Sequence, residues 1–129
     1  YRIDRQRVTE YRAERQPPVG RSWFRAIGSL SNDKAVHQAA LVMISDYSLP
    51  SNVYYPHTST NPFKDFMGAS LDHVIWFHHQ GKMDEWVLYD CDTPRSGGGR
   101  GLSRGFIWSQ DGTLLASTAQ ESLMRLKRR

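Results

Sequence analysis

The sequence predicts an α+β domain in which an antiparallel sheet wraps one buried helix. Apolar residues at helical spacing from Val36 to Tyr47, preceded by the cap-like Ser31-Asn32-Asp33, indicate the helix. Short apolar runs between turn signals indicate strands, and Gln110-Asp111-Gly112 is the strongest hairpin signal among them. The 129 residues suffice for one hydrophobic core and not for two. Another α+β roll is the alternative fold.

The elements are predicted in chain order. Residues 1–16 form an edge strand that ends at Pro17-Pro18, and residues 23–27 form a second extended segment. The helix covers about residues 33–48, and since its C-terminal half is apolar nearly all round, we expect it to be buried there. Further strands are expected over residues 69–79, 85–90, 102–109 and 113–126, with a loop over residues 93–99 and five or six strands in all.

Composition excludes several classes of protein. Apolar residues make up 39% of the chain and charged residues 23%, which argues against a disordered, collagen-like or coiled-coil protein. No apolar run approaches the ~20 residues of a membrane helix, and the first residues resemble no signal peptide. The single Cys91 forms no internal disulfide, so we expect an intracellular location, in the cytoplasm or, in a eukaryote, the peroxisome.

The charge is unevenly distributed along the chain. Residues 1–25 carry a net +4, residues 26–94 a net −5 and residues 95–129 a net +5. The basic ends either form a solvated surface or attract an anionic partner, which would be nucleic acid or the phosphates of a ligand. Nucleic acid is the less favoured partner, because the aromatic residues lie in apolar runs and not between the arginines.

Asp46 is the first candidate for a functional residue. It follows the apolar run Leu41-Val42-Met43-Ile44 in the last turn of the predicted helix. The negative end of the helix dipole and a dry environment both favour the neutral form of a carboxyl group there. Asp46 is therefore either a site residue or a helix-end residue that bonds the following loop.

Other patterns point less clearly to chemistry. In one continuous strand Asp72 and His78 would lie ~20 Å apart at ~3.3 Å per residue, so Asp72-His73 with His78-His79 does not predict a metal site. The run Gly97-Gly98-Gly99-Arg100-Gly101 lacks the Lys-Ser/Thr ending of a phosphate-binding loop. The residues around Ser70 do not form the Gly-x-Ser-x-Gly turn of a serine hydrolase.

Several motifs in order, from about Trp23 to Arg125, resemble the C-terminal repeat of the acyl-CoA thioesterase II family. Members of this family are double-hotdog proteins, with two such domains in one chain, that hydrolyse fatty acyl-CoA to free acid and coenzyme A. The motifs are Ile44-Ser45-Asp46-Tyr47, Ala69-Ser70-Leu71-Asp72-His73-Val74-Ile75-Trp76-Phe77-His78, Glu85-Trp86-Val87-Leu88-Tyr89, Gly99-Arg100-Gly101-Leu102-Ser103-Arg104-Gly105 and Gln110-Asp111-Gly112-Thr113-Leu114-Leu115-Ala116-Ser117-Thr118-Ala119-Gln120-Glu121.

The resemblance implies a site and a mechanism. The family's three water-orienting residues fall on Asp46, Ser70 and Gln120. Asp46 would act as the base that takes a proton from water, while Ser70 and Gln120 would position that water on the thioester carbon. No separate cofactor is implied, because coenzyme A is part of the substrate. Arg100 and Arg104 are candidates for contact with its phosphates.

The resemblance also implies a partner. The chain has the length of one hotdog domain, so we expect it to pair with a second copy or with a separate N-terminal half. It departs from the family at His79-Gln80-Gly81, where members usually have Arg-Pro-Phe. A non-catalytic hotdog scaffold is the alternative function. Hydration of enoyl thioesters is disfavoured, because no His lies near Asp46 on the helix and His37 is more than two turns away.

Overall fold

Seven antiparallel strands curl around one long helix in the part of the chain that the structure, a computed structural model, describes, namely residues 3–7, 15–57 and 65–127. The predicted α+β class is therefore confirmed. The elements are β1 (Ile3–Arg7), β2 (Val19–Ala26), α1 (Lys34–Tyr47), a 3₁₀ helix (Leu49–Val53), β3 (Phe66–Ser70), β4 (Val74–Phe77), β5 (Val87–Gly97), β6 (Arg100–Ser109) and β7 (Leu114–Leu126).

The sheet has the strand order β1-β2-β5-β6-β7-β3, and β4 also pairs with β7. β1 is an edge strand, as predicted, over Ile3–Arg7, and residues 8–14 of the predicted strand lie outside the described residues. β3 and β4 pair with successive stretches of β7, since Ser70 is opposite Ser122 and Val74 is opposite Ala119. The segment between β3 and β4 therefore lies against the middle of β7, which brings its side chains close to Gln120.

Helix α1 agrees with its predicted bounds to within one residue at each end. The cap is Asp33 itself, whose side chain accepts a hydrogen bond from the backbone N–H of Ala35 at 2.9 Å. One helix face, with Leu41 and Ile44, is buried against the sheet. The expected burial all round the C-terminal half is wrong, because the sheet covers a single side and leaves Tyr47 64% exposed.

The hydrophobic core joins α1 to the sheet and holds the end of the helix in place. Tyr89 on β5 is fully buried, and its hydroxyl donates to the backbone carbonyl of Ser45 at 2.6 Å. The same hydroxyl lies 2.8 Å from the hydroxyl of Thr118 on β7. Burial raises the pKa of Tyr89 far above its ordinary value. The remaining buried core residues include Phe24, Leu41, Ile44, Leu49, Met83, Val87, Cys91, Ile107, Leu115 and Ala116.

The single strand predicted over residues 69–79 is wrong, because the chain forms two strands with a break at residues 71–73. Asp72 Oδ1 accepts a hydrogen bond from the backbone N–H of Glu121 at 2.6 Å, and the Leu71 N–H donates to the carbonyl of Glu121 at 2.9 Å. Here the Asp72 side chain takes the place of a backbone acceptor in the pairing with β7. This interrupts the regular alternation of side chains between the two faces of the sheet. The described sheet therefore has seven strands and not the five or six predicted.

The loop predicted over residues 93–99 is also wrong, because β5 continues through it to Gly97. The pairing of β5 with β6 shifts between Asp92 and Arg95, where an irregularity absorbs Pro94. The turn into β6 lies at Gly98 and Gly99, whose φ angles of 63° and 77° favour glycine. Among the described residues no helix is long and apolar enough to cross a membrane.

Candidate active site

Asp46, Ser70 and Gln120 meet at one place although three different elements carry them. Asp46 lies in the last turn of α1, Ser70 ends β3 and Gln120 lies in the middle of β7. The Ser70 hydroxyl donates to Asp46 Oδ1 at 3.2 Å, and Gln120 Nε2 donates to Ser70 Oγ at 2.5 Å. A carboxylate, a hydroxyl and an amide therefore form one continuous hydrogen-bonded row.

The backbone positions these three side chains by simple periodicity. Alternate residues of β7 face the helix, and Gln120 belongs to this inward row with Thr118 and Ser122, all of them buried. Ser70 is opposite Ser122 and stands where β3 ends, so its side chain meets the end of the Gln120 amide. Asp46 follows the buried Ser45, which places its carboxylate at the rim of the buried helix face.

His73 is a further member of this cluster, and sequence reasoning missed it. Its Nδ1 lies 2.7 Å from Gln120 Oε1, and its Nε2 lies 2.7 Å from the hydroxyl of Ser45. The sequence places His73 beside Asp72 within the motif that contains Ser70, but nothing there indicates that it contacts Gln120. An unbroken strand would have turned the side chains of Ser70 and His73 to opposite faces, and the break at Asp72 instead directs both toward Gln120.

The cluster has a buried side and an open side. Ser45 and Gln120 are 0% exposed, whereas Asp46 and Ser70 are exposed. The expectation that Asp46 lies in a dry environment is therefore wrong for the chain by itself, because the side chain is exposed at the open side of the cluster. The open side is the one at which a substrate and a water molecule have access to the row.

Two cavities lie at different places in the fold, the smaller between β3 and the segment that follows α1, and the larger against α1 itself. The smaller, of about 230 Å³, is lined by Ser70 together with residues of the 3₁₀ helix and β3, namely Pro50, Ser51, Tyr54, Phe66, Gly68 and Ala69. The larger, of about 290 Å³, is apolar and is lined by Val36, Ala39, Ala40 and Met43 on the helix, with no member of the cluster among its lining residues. Only the smaller of these two cavities opens at the hydrogen-bonded row.

Arg100 and Arg104 lie on the outer face of β6, and the sheet separates them from the cluster. Residues 101, 103, 105 and 107 of β6 are buried, and the alternate residues face outward. The two nitrogens of the Arg104 guanidinium lie 3.0 and 2.6 Å from the carboxylate of Asp92, and Arg100 lies 3.4 Å from Glu121 Oε2. Contact of these arginines with coenzyme A phosphates stays a prediction.

The histidines considered for metal binding serve separate partners. His78 Nε2 lies 2.9 Å from the hydroxyl of Ser117, and His79 Nδ1 lies 2.9 Å from the carbonyl of Leu114. Both bonds attach the end of β4 to β7. Within the described residues, no group of three or more His, Cys, Asp or Glu side chains is arranged to hold a metal ion.

Large exposed apolar side chains, here called the apolar strip, lie on the elements that carry Asp46 and Ser70. The residues of the strip belong to the outward face of α1 and to the segment from β3 to β4. Exposed apolar area of this extent is typical of interaction surfaces. The strip consists of Val42, Met43, Tyr47, Met67, Leu71, Val74, Trp76 and Phe77, each between 42% and 64% exposed.

Comparison with known proteins gives a consistent family. The family model described as "Acyl-CoA thioesterase" matches residues 4–123. The chain is 38% identical over 115 residues to human "Acyl-coenzyme A thioesterase 8", and the match covers 88% of this chain and 35% of that protein. The crystal structure of "an Acyl-CoA thioesterase II TesB2 from Mycobacterium marinum" superposes with a TM-score of 0.84 and 32% identity, and covers 97% of this chain and 49% of that one.

A more distant structure identifies the fold by name. A protein of unknown function "with Hot dog Fold" from Alicyclobacillus acidocaldarius superposes with a TM-score of 0.76 at 21% identity, over 98% of this chain and 46% of that one. The predicted hotdog fold is therefore confirmed. The chain spans about a third of the length of its human relative and half of the Mycobacterium marinum protein. By its sequence match and its fold, the chain belongs to the acyl-CoA thioesterase family.

Proposed function

We propose that this domain hydrolyses acyl-CoA thioesters by means of a water molecule held at Asp46, Ser70 and Gln120. The observation that carries the proposal is the row in which Gln120 Nε2 donates to Ser70 and Ser70 donates to Asp46. Family membership supports the substrate class, because the matching family model is described as an acyl-CoA thioesterase. The proposed reaction uses water and the thioester as its reactants.

The hydrogen bonds of the row leave places for one water molecule. An ionised Asp46 only accepts hydrogen bonds. Ser70 donates to Oδ1, so the second carboxylate oxygen of Asp46 is available to accept a hydrogen bond from water. The other places are a second lone pair of Ser70 Oγ and the second N–H of the Gln120 amide, which is 0% exposed in the domain by itself and meets a water only when the substrate-bound site admits one beside it. A water that donates to Asp46 and Ser70 and accepts from Gln120 keeps one lone pair for the thioester carbon.

The reaction then follows from these contacts. The water oxygen forms a bond to the thioester carbon while Asp46 takes one of its protons, which gives a tetrahedral intermediate. The carbon–sulfur bond breaks, the sulfur leaves as the coenzyme A thiol with the proton that Asp46 returns, and the free acid remains. No atom of the protein forms a covalent bond to the substrate in this sequence.

The thioester reaches the row through the smaller cavity, because Ser70 lines it. Ala69→Phe narrows this cavity, and we expect it to raise KM for acyl-CoA by ~10-fold or more. Ala39→Phe is the matched control, since Ala39 is equally an exposed alanine but lines the other cavity. If Ala39→Phe raises KM and Ala69→Phe does not, the substrate uses the larger cavity instead.

The proposed partner is a second hotdog domain, either another copy of this chain or an N-terminal half. It would cover the apolar strip and exclude bulk solvent around the one water held at Asp46, which strengthens every polar contact of the row. Light scattering at micromolar concentration should give a mass above the 14.8 kDa of one chain, and Trp76→Glu should lower it toward that value. A 14.8 kDa species for the unaltered chain contradicts self-pairing.

The test of the function is release of free thiol from an acyl-CoA by the assembly that the chain forms in solution. Ser70→Ala and Gln120→Ala should each lower kcat, and the double variant should be little worse than the poorer single variant, because both side chains act on one water. Independent, multiplicative losses contradict the shared water. A folded, paired protein that binds acyl-CoA without releasing thiol favours the scaffold function.

A further inference from the structure

The cluster is a closed ring of hydrogen bonds that begins and ends on neighbouring residues of α1. From Asp46 it passes through Ser70, Gln120 and His73, and it returns to the helix at Ser45, with steps of 3.2, 2.5, 2.7 and 2.7 Å. The Asp46 and Ser70 steps carry the proposed chemistry. The His73 and Ser45 steps lie on the buried side, and the proposed mechanism does not use them.

The charge of Asp46 determines the direction of every hydrogen bond up to His73. A carboxylate cannot donate, so the single hydroxyl hydrogen of Ser70 points to Asp46 and Ser70 must accept from Gln120. The NH₂ group of Gln120 therefore faces Ser70, and its carbonyl oxygen faces His73. That oxygen accepts only if His73 carries a hydrogen on Nδ1.

We infer that His73 is a positioning residue whose Nδ1–H holds the Gln120 amide with its NH₂ group toward the site. Rotation of this amide by half a turn would place its oxygen beside Ser70 Oγ and withdraw the donor proposed to hold the water. Gln120 is 0% exposed, so solvent offers its oxygen no replacement for the bond to His73. No other hydrogen-bond partner of this oxygen is recorded among the described residues.

Ser45 supports His73 from the opposite side. Its hydroxyl is 0% exposed and lies 2.7 Å from both His73 Nε2 and the carbonyl of Val42. If the Ser45 hydroxyl donates to Nε2, that nitrogen carries no hydrogen. If the hydroxyl donates to Val42, Nε2 carries a hydrogen and donates it to Ser45. Nδ1 carries its hydrogen in both arrangements. With both ring nitrogens engaged inside the ring, His73 presents no free acid or base to a substrate. This position of His73 therefore favours a role in holding Gln120 and disfavours a role in the hydration of enoyl thioesters.

Two conservative variants separate positioning from general packing. An Asn side chain places its NH₂ near the position of the imidazole Nδ1, and a Gln side chain places it near Nε2. The kinetic test rests on the proposed function: His73→Asn should keep kcat within ~3-fold of the unaltered protein, while His73→Gln should lower it ~10-fold or more with little change in KM. In a Gln120→Ala background, His73→Gln should cost nothing further.

Equal kcat losses in the two variants, or a further loss in the Gln120→Ala background, would overturn the inference. Thermal unfolding of each variant checks that kcat does not simply follow stability. Long-range proton–nitrogen NMR of histidine-labelled protein tests it without any activity and should show a hydrogen on Nδ1 of His73. A bare Nδ1 overturns the inference even in an active enzyme, and a protonated Nδ1 in a protein that releases no thiol refutes the proposed function alone.

Discussion

Tyr89→Phe removes one oxygen atom from the centre of the core and tests how the end of α1 is held. The hydroxyl is buried and donates to the backbone carbonyl of Ser45 at 2.6 Å. Ser45 lies in the last turn of α1, where carbonyl groups lack partners within the helix. The phenyl ring of the variant keeps the packing of the tyrosine ring, so the change isolates the hydrogen bonds.

The expected loss follows from which partners lose their bonds. Thr118 keeps a hydrogen bond to the carbonyl of Gly105 at 3.2 Å, so its hydroxyl stays satisfied. The carbonyl of Ser45 loses its bond to Tyr89 in a buried place, which costs about 1–2 kcal/mol of the free energy of unfolding. With a urea m-value of about 2 kcal/mol/M, the unfolding midpoint should fall by about 0.5–1 M.

Urea unfolding followed by circular dichroism, at equal protein concentrations, measures this loss. Tyr47→Phe is the matched control, because Tyr47 lies in the same turn of α1 as Ser45 but its side chain is 64% exposed. The urea midpoint of this variant should stay within about 0.2 M of that of the unaltered protein. Equal midpoints for Tyr89→Phe and Tyr47→Phe would refute the claim that the Tyr89 hydroxyl holds the end of the helix.

Three further predictions concern stability and reactivity. A backbone hydrogen bond holds the pKa of Asp84 below its ordinary value, so Asp84→Asn should lower the free energy of unfolding at neutral pH. The difference should begin to shrink below about pH 4 and vanish below the lowered pKa of the folded state, and a constant difference is the contrary result. Gly105→Ala should destabilise by about 1–3 kcal/mol because a Cβ there would clash with the Tyr89 ring, while Gly97→Ala, whose nearest contact is at 3.8 Å, should not. Burial raises the pKa of the Cys91 thiol to about 12, so a thiol reagent should label it only after unfolding, and rapid labelling of the native protein would contradict this.

Local patterns were sufficient to predict the helix and the last hairpin. The cap at Asp33 and the apolar spacing that follows it depend on neighbouring residues, and the helix forms where they indicate. Gly112 has a φ of 86° between β6 and β7, which is the conformation that its Asp-Gly sequence favours. The helix cap and the hairpin turn each depend on a few neighbouring residues, so one sequence is enough to predict them.

Long-range bonds were the features that local patterns could not predict. The break between β3 and β4 depends on a bond from Asp72 to Glu121, 49 residues away, and the inward turn of His73 follows from it. The exposed Asp46 has a different cause. An apolar helix surface looks the same in a sequence whether its own sheet or a second domain covers it, so the sequence predicted burial on both sides of α1.

The meeting of Asp46, Ser70 and Gln120 came from the family resemblance and not from the residues alone. A serine at a strand end and a glutamine within a strand are ordinary residues, and nothing local distinguishes them. Their hydrogen bonds join α1, β3 and β7, which are separated by 24 and 50 residues along the chain. Arg100 and Arg104 were candidates because the C-terminal part of the chain is basic, and charge alone does not predict the face of the sheet on which each side chain lies.

The most direct test of the central claim is the turnover of an acyl-CoA by Asp46→Asn. The amide keeps the size of the side chain and an oxygen for Ser70, but it cannot take a proton from water. We expect kcat to fall by ~10²-fold or more with KM nearly unchanged, while the control Asp90→Asn, an exposed partner of Arg21, keeps its activity. An Asp46→Asn variant that turns over acyl-CoA at the rate of the unaltered protein would contradict the account.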